Sequence, residues 1–294
     1  MKKWQKWTFG IIGVVLVAIL IFGALSWSRL EILAGTEELS GKTEVIPIPV
    51  SQSLEPLTKG SADWISWQGS RGDRRSDVTG IIRDWSGGLE KLWEVDYLCQ
   101  GNSSAAWSAP VVQGNRLIVC GRTTEKDLVF CLDPTNGALL WQTSYSAETT
   151  ASHGAGPRAT PAIDDDRVYT FGRSGELVCW ALFDGKELWR TNVADEGGEV
   201  PMWGHSSSPL ILGDRVIVQG GGTARTIAYD KLTGKVVWKG GNGIAGYAAL
   251  TRMEIAGKTM VLSFHGKGLV ALDAENGDEL WDIPWETPYD VNAG

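Results

Sequence analysis

The chain has 294 residues, 43% hydrophobic and 21% charged, a balance that fits globular domains and excludes wholesale disorder. Its 35 acids outnumber 27 bases for a net charge of −8, so the field of the whole chain repels a polyanion and no nucleic-acid partner is expected. Two excesses ask for a repeated cause: 37 glycines, and 15 tryptophans against six each of Phe and Tyr.

Residues 1–6 carry Lys2, Lys3 and Lys6 and read as a basic cytoplasmic N-terminus. Residues 7–28 hold no charge and an almost wholly aliphatic core; at about 1.5 Å per residue they reach across a bilayer's hydrocarbon and are predicted to be a transmembrane signal anchor. A cleaved signal peptide is the rival reading, but its apolar core usually runs only about 7 to 15 residues. Trp4, Trp7 and Trp27 bracket the segment as interfacial aromatics do. Glu31, Glu37 and Glu38 follow it, so the positive-inside rule places the chain in the cell membrane as a single-pass protein with the remainder on the periplasmic or extracytoplasmic side. No Cys follows the apolar core closely, so no lipid-modified N-terminal cysteine is on offer. Residues 29–62, with Pro47, Pro49 and Pro56 and no apolar period, read as an extended tether.

Residues 63–294 repeat. Trp93, Trp141, Trp189, Trp238 and Trp281 follow one another at 48, 48, 49 and 43 residues, and Gly137, Gly185, Gly234 and Gly277 each lie four residues before the last four of them. Those glycines fit a turn position of positive φ between two strands, with Asp133, Asp230 and Asp273 upstream to bond the turn backbone. Ala181 replaces the Asp in the second unit, which predicts weaker docking there. Further upstream each unit has a small-residue lead-in, with Pro110, Pro161 and Pro209 in the first three, then a short strand, a polar turn and an apolar strand. Four short strands per unit, alternating by two and rich in Val, Ile, Gly and Trp, predict an all-β fold: a β-propeller of four-stranded antiparallel blades, preceded by one transmembrane helix. Four complete blades are present, with a partial unit ending at Trp93 and a closing stretch after Trp281 that looks like the lead into another.

The unit Ala228-Tyr-Asp230-Lys-Leu-Thr233-Gly234-Lys-Val-Val-Trp238 resembles the tryptophan-docking repeat of the pyrroloquinoline-quinone (PQQ) type propellers, a family shared by quinoprotein dehydrogenases and BamB-like assembly proteins. The resemblance implies that Trp141, Trp189, Trp238 and Trp281, with their turn glycines, dock blade against blade. It also implies a ring of seven or eight blades, so the four blades here are expected to be part of such a ring, a fragment or one whose open edge another chain completes. For a BamB-like protein it implies a protein-binding or assembly scaffold, with envelope or membrane proteins or extended peptides as partners and no cofactor.

The alternative that the family offers is a quinone-dependent oxidoreductase. There the resemblance implies a cofactor stacked between a Trp and a ring made by two adjacent cysteines, with calcium held by acidic and amide groups. No two of Cys99, Cys120, Cys131 and Cys179 are adjacent, and no acid-rich loop of calcium-site spacing occurs. Cys120 and Cys131 flank a turn and are candidates for a cross-strand disulfide. The three histidines are too dispersed for a metal site, and no catalytic residue is singled out.

Strand order puts the Gly turns on one face, and the blade-to-blade connections with the turns between second and third strands on the other. That second face gathers His153, Arg158, Trp203, His205, Tyr247, Trp285 and Tyr289 on the connections, with Arg122, Arg173, Arg225 and His265 on the turns. Aromatic, Arg and His side chains at a rim make a candidate binding surface. In the oxidoreductase reading Trp203 or Trp285 stacks the ligand and Arg158 takes its acid group.

Overall fold

The computed structural model describes residues 63–101, 104–147 and 154–293. The predicted anchor at 7–28 and the tether at 29–62 lie outside them, and among the described residues no helix is long and apolar enough to cross a membrane.

Among the described residues sixteen strands form four separate antiparallel sheets, each in simple sequence order. The first blade comprises β1 (Val111–Gln113), β2 (Arg116–Arg122), β3 (Lys126–Leu132) and β4 (Leu139–Ser146). The second holds β5 (Ala162–Asp164), β6 (Arg167–Phe171), β7 (Glu176–Ala181) and β8 (Glu187–Asn192). The third is β9 (Leu210–Leu212), β10 (Arg215–Gln219), β11 (Thr226–Asp230) and β12 (Val236–Gly240), and the fourth β13 (Thr251–Ile255), β14 (Lys258–His265), β15 (Gly268–Asp273) and β16 (Glu279–Pro284). First strands lie innermost, since β1 touches β5 and β5 touches β9. The four four-stranded antiparallel blades read from the repeats are thus observed, and they fit a propeller.

Local chemistry sets the hairpins. Two-residue loops join first to second strands, and their leading residues Gly114, Asp165, Gly213 and Ala256 all take positive φ, the twist that suits a tight hairpin. At the turns between third and fourth strands Gly137, Gly185, Gly234 and Gly277 have φ between 70° and 77°, and each N–H returns to the carbonyl four residues back. Asp133 and Asp230 accept from the turn amides of Thr135 and Thr233.

Third strands are buried on both faces, because each apolar face joins a different neighbour. Leu128, Phe130 and Leu132 of β3 pack against Trp93, Val95, Tyr97 and Leu98, while Val129 and Cys131 face Ile163, Val168 and Val178 of the second blade. Equivalent cores lie between blades two and three, around Tyr169, Cys179, Val216 and Tyr229, and between three and four, around Ile217, Ala228, Val261 and Val270.

Tryptophan locks bolt these interfaces. The indole N–H of Trp93 donates to Pro134 O (3.0 Å), Trp141 to Leu182 O (3.0 Å), Trp189 to Lys231 O (3.0 Å) and Trp238 to Ala274 O (3.1 Å). Each ring lies flat against the turn glycine of the next blade, where a Cβ would come within 2.5–2.6 Å of it. Burying such an indole removes roughly 150–250 Å² from water, a gross transfer gain of about 4–6 kcal/mol. The weaker docking expected at Ala181 is not seen in the geometry. Trp141 uses a backbone carbonyl and Gly185, and Gly185 N still bonds Ala181 O at 2.9 Å, so the missing carboxylate affects only the turn's interior.

Cys120 and Cys131 are free thiols. The register pairs Cys120 with Val129 and Ile118 with Cys131, so the two cysteines sit diagonally, two residues out of step, and the proposed disulfide is not formed. Burial pushes both thiols up to about 12.

Candidate functional site

The blade lead-ins are tied to one another. Ala109 N donates to Thr160 Oγ1 (3.1 Å), and Thr160 N to Ser208 Oγ (3.0 Å). Each hydroxyl is the residue before the lead-in proline, which explains why small hydroxylated residues occupy that site in successive units. The chain of bonds ends at the fourth blade, where Ala249 has no hydroxyl to accept one.

Over this inner ring the connections pair up. Trp107 N bonds Pro157 O (2.8 Å) and Gly156 N bonds Ala105 O (3.0 Å), which sets Trp107 close to Arg158. Gly154 (φ +82°) passes so near that a Cβ there would lie 3.2 Å from Trp107 Nε1. On the other side Trp203 N donates to the Tyr247 hydroxyl (3.3 Å), their rings are 5.6 Å apart, and Ser206 Oγ donates to Tyr247 O (3.1 Å).

A central segment, residues 63–69, completes the floor. It runs antiparallel to β1, exchanging both main-chain bonds between Trp64 and Val112 (2.8 and 2.9 Å), and Ile65 O accepts from Ile163 N of β5 (2.8 Å). Gln68 Nε2 then reaches Thr251 Oγ1 of the fourth blade (2.9 Å). The result is a cavity of about 330 Å³ lined by Trp67, Trp107, Arg158, Thr160, Ser206, Ser208, Tyr247 and Ala249. A larger space of about 580 Å³ between the segment and the first strands of blades two to four shares Trp67, Ser208 and Ala249 with it.

Of the rim residues singled out in the sequence, Arg158 and Tyr247 line the cavity, and Trp203 supports it through Tyr247. His205 is buried against Phe171 at 4.9 Å between ring centres, and burial pulls its imidazole down to about 4, so it stands neutral in the core. Trp285 and Tyr289 are exposed on the C-terminal stretch, which is clamped by Asn292: its Nδ2 donates to His265 O (2.7 Å), and its carbonyl accepts from Tyr247 N (2.9 Å). His153 lies outside the described residues.

The charged turn residues are mostly structural. Arg122 and Asp127 form a fully buried pair at 2.5 Å, and burial, opposed by Arg122, lifts the Asp127 carboxyl to about 6. Arg225 pairs with Glu279 and with Asp282 (3.7 Å), which also faces His265 at 3.5 Å. Arg158 and Arg173 lie near enough that burial and mutual repulsion lower the pKa of Arg158, while burial and Arg122 lower that of Arg173. Trp67 and Trp107 were not among the sequence candidates. Trp107 precedes the first lead-in by a single residue, a signal that was available, whereas Trp67 belongs to no repeat.

The molecule is thus a tryptophan-locked propeller with an aromatic, cationic pocket where its first strands meet the rim. Residues 125–293 match the PQQ-repeat family described as outer membrane protein assembly factor BamB, and the chain belongs to that family. It is 26% identical over 188 residues to the outer membrane protein assembly factor BamB of Burkholderia pseudomallei, covering 62% of this chain and 43% of that protein. It is 30% identical over 174 residues to the quinoprotein ethanol dehydrogenase of Pseudomonas putida, covering 53% of this chain and 26% of that enzyme. The chain therefore spans less than half the length of either relative. Among solved structures, the quinohemoprotein alcohol dehydrogenase ADHIIG of Pseudomonas putida HK5 superposes with a TM-score of 0.56 at 16% identity, over 79% of this chain and 41% of that one, a likeness of fold.

The dehydrogenase relative is a quinoprotein by name, so the pocket's lining bears on a quinone cofactor. Two tryptophans and an arginine in the lining suit a planar acid. The calcium half does not fit: among the described residues no carboxylate or amide side chain lines the pocket, and no group of three or more His, Cys, Asp or Glu could hold a metal ion.

Proposed function

We propose that this chain is an exported propeller, anchored in the cell membrane by residues 7–28, that holds protein partners at its rim as an assembly scaffold. The observation that carries the reading is the run of exposed apolar side chains on the rim connections and the segments beside them. Trp107 is 62% exposed, Met202 69% and Trp285 60%, with Trp67, Val200, Ile244 and Tyr289 also exposed. Large apolar side chains held in water by a rigid fold mark an interaction surface, and aromatic anchors dominate the energy of such contacts. The BamB relative, by its name an assembly factor for outer membrane proteins, points the same way.

The test is site-specific photo-cross-linking in cells with the full chain. A cross-linker at Met202 is expected to give discrete protein adducts identified by mass spectrometry, whereas one at Leu232, 56% exposed on a turn of the opposite face, gives none. Equal adduct patterns from both positions sink the scaffold reading. A second reading, a binder of a planar acid, is favoured by the presence of Arg158, Trp67 and Trp107 in one cavity wall and by the dehydrogenase relative. It requires a visible chromophore to co-purify with the chain or to be retained after addition.

A further inference from the structure

We propose that residues 45–50, in the stretch read as a tether, add as a β-strand along the open edge of residues 91–97 and cover Leu117 and Val119 of blade one. The partner of this surface is the chain's own N-terminal segment.

Residues 91–97 have the character of a fourth strand without a third. Their burial alternates by two: Trp93, Val95 and Tyr97 pack against Leu128, Phe130 and Leu132 of blade one, and Lys91, Leu92, Glu94 and Asp96 are exposed. Trp93 locks the stretch to Pro134 O and Gly137, as Trp141, Trp189 and Trp238 lock the fourth strands β4, β8 and β12. Each of those strands is paired with a third strand. Among the described residues, no main-chain N–H or C=O of 91–97 has a main-chain partner. The cover that a third strand gives is lacking at a defined place. Leu117 and Val119 of β2 are half-buried, whereas Val168 of β6 and Val216 and Val218 of β10, at matching positions in the next two blades, are fully buried. Val168 owes its cover to a core shared with Val129 and Cys131 of β3, the third strand of the preceding blade. The gap over Leu117 and Val119 is therefore the place of one apolar strand.

Residues 45–50 fit that place. They are the longest unbroken apolar run in the 29–62 stretch, which has no apolar period as a whole. In extended form Ile46, Ile48 and Val50 share one face, which suits them to lie over Leu117 and Val119. Pro47 and Pro49 alternate with them, so both missing N–H groups fall on the same edge, and the other edge is left to bond 91–97. Each proline also biases the residue before it towards an extended backbone, which lowers the entropy lost on docking. Reach favours the chain's own segment over a separate partner. Trp64 pairs with Val112, and Val112 with Leu117, so the described chain begins about two strand spacings, about 10 Å, from the gap. The twelve residues 51–62 span that distance with slack. In the anchored reading the consequence is a shorter leash: the sixteen residues 29–44 in place of the 34 residues 29–62, a reach of at most about 58 Å in place of about 122 Å.

The test is hydrogen–deuterium exchange, read by mass spectrometry, on the full chain in mild detergent. The amides of residues 91–97 are expected to be protected, and the double variant Ile46→Asp, Ile48→Asp to exchange them about tenfold faster or more. Leu54→Asp, between the docked run and blade one, leaves them unchanged. β7 (Glu176–Ala181) is the folding control, since its protection should be the same in all three chains. A photo-cross-linker at Ile48 is expected to form adducts within one chain, to residues 91–97 or to Leu117 and Val119. Fast exchange of 91–97 in the unaltered chain overturns the proposal, as does protection that survives the double substitution or is lost equally in Leu54→Asp. Adducts that join two chains, with protection that rises with protein concentration, also overturn it and give the edge to a second copy. None of these readouts needs residues 7–28 to cross a bilayer or the rim to hold a partner, so the docking fails or holds separately from both readings.

Discussion

Substituting Gly185 by Ala tests the locking of blades directly. The new methyl would lie 2.5 Å from Trp141 Cε3 and 2.8 Å from Cδ2, and an L side chain would be forced to φ +72°. The left-handed backbone alone costs about 1–2 kcal/mol. Overpacking against an indole that is only 4% exposed adds about 1–3 kcal/mol, because the ring is fixed on its far side by the core of blades one and two. Gly213 supplies the control: its φ is +62°, but a Cβ there meets nothing within 4 Å, so Gly213→Ala carries the backbone cost alone. Urea unfolding of the full chain in mild detergent, followed by circular dichroism and by tryptophan fluorescence, should show a loss of about 2–5 kcal/mol for Gly185→Ala against about 1–2 for Gly213→Ala. Equal midpoint shifts for the two variants would refute the claim that the glycine exists to seat the tryptophan.

Three further outcomes follow from the same structure. Trp238→Phe forfeits the bond to Ala274 O and leaves a cavity, and should cost about 2–4 kcal/mol, whereas Trp281→Phe should cost under about 1, since among the described residues no turn glycine lies against Trp281. With the imidazole of His205 pulled down to about 4, the unfolded chain binds a proton there that the folded chain refuses between about pH 4 and 6.5. Stability from this group is complete above about pH 6.5 and falls by up to about 3 kcal/mol as pH drops to 4; chemical unfolding across that range should be flatter for His205→Gln. The Cys120 and Cys131 thiols, both lifted to about 12 by burial, should resist iodoacetamide at pH 8 until urea unfolds the blades, and reductant should leave the unfolding midpoint where it was.

The blades were legible because their determinants are local and periodic. A glycine four residues before a tryptophan fixes a hairpin, and alternation fixes which face is buried, so hairpins and interfaces follow from spacing. The pocket was only half legible. Arg158 and Tyr247 stood out as charged and aromatic residues on long connections, but that reading could not foresee the pairing of connections 100–110 and 154–161 that brings Trp107 to Arg158. Trp67 lay in a stretch without repeat, where only the long-range bonds to Val112 and Ile163 place it at the centre. Arg225 looked available for the same reason: its partners Glu279 and Asp282 belong to the next blade, beyond the reach of any local pattern.

The order of parts in each lock also gives the chain a direction. Every docking tryptophan precedes the glycine it will cover by about one repeat: Trp93 comes before Gly137, Trp141 before Gly185, Trp189 before Gly234 and Trp238 before Gly277. As the polypeptide emerges from the ribosome N-terminus first, each new hairpin therefore finds its bolt already made, and the contacts that seat it span only some 45 residues. Assembly can advance blade by blade at the pace of synthesis, with one unfinished face at a time. A pause or truncation would leave a shorter stack with its earlier locks closed, in place of an unfolded chain.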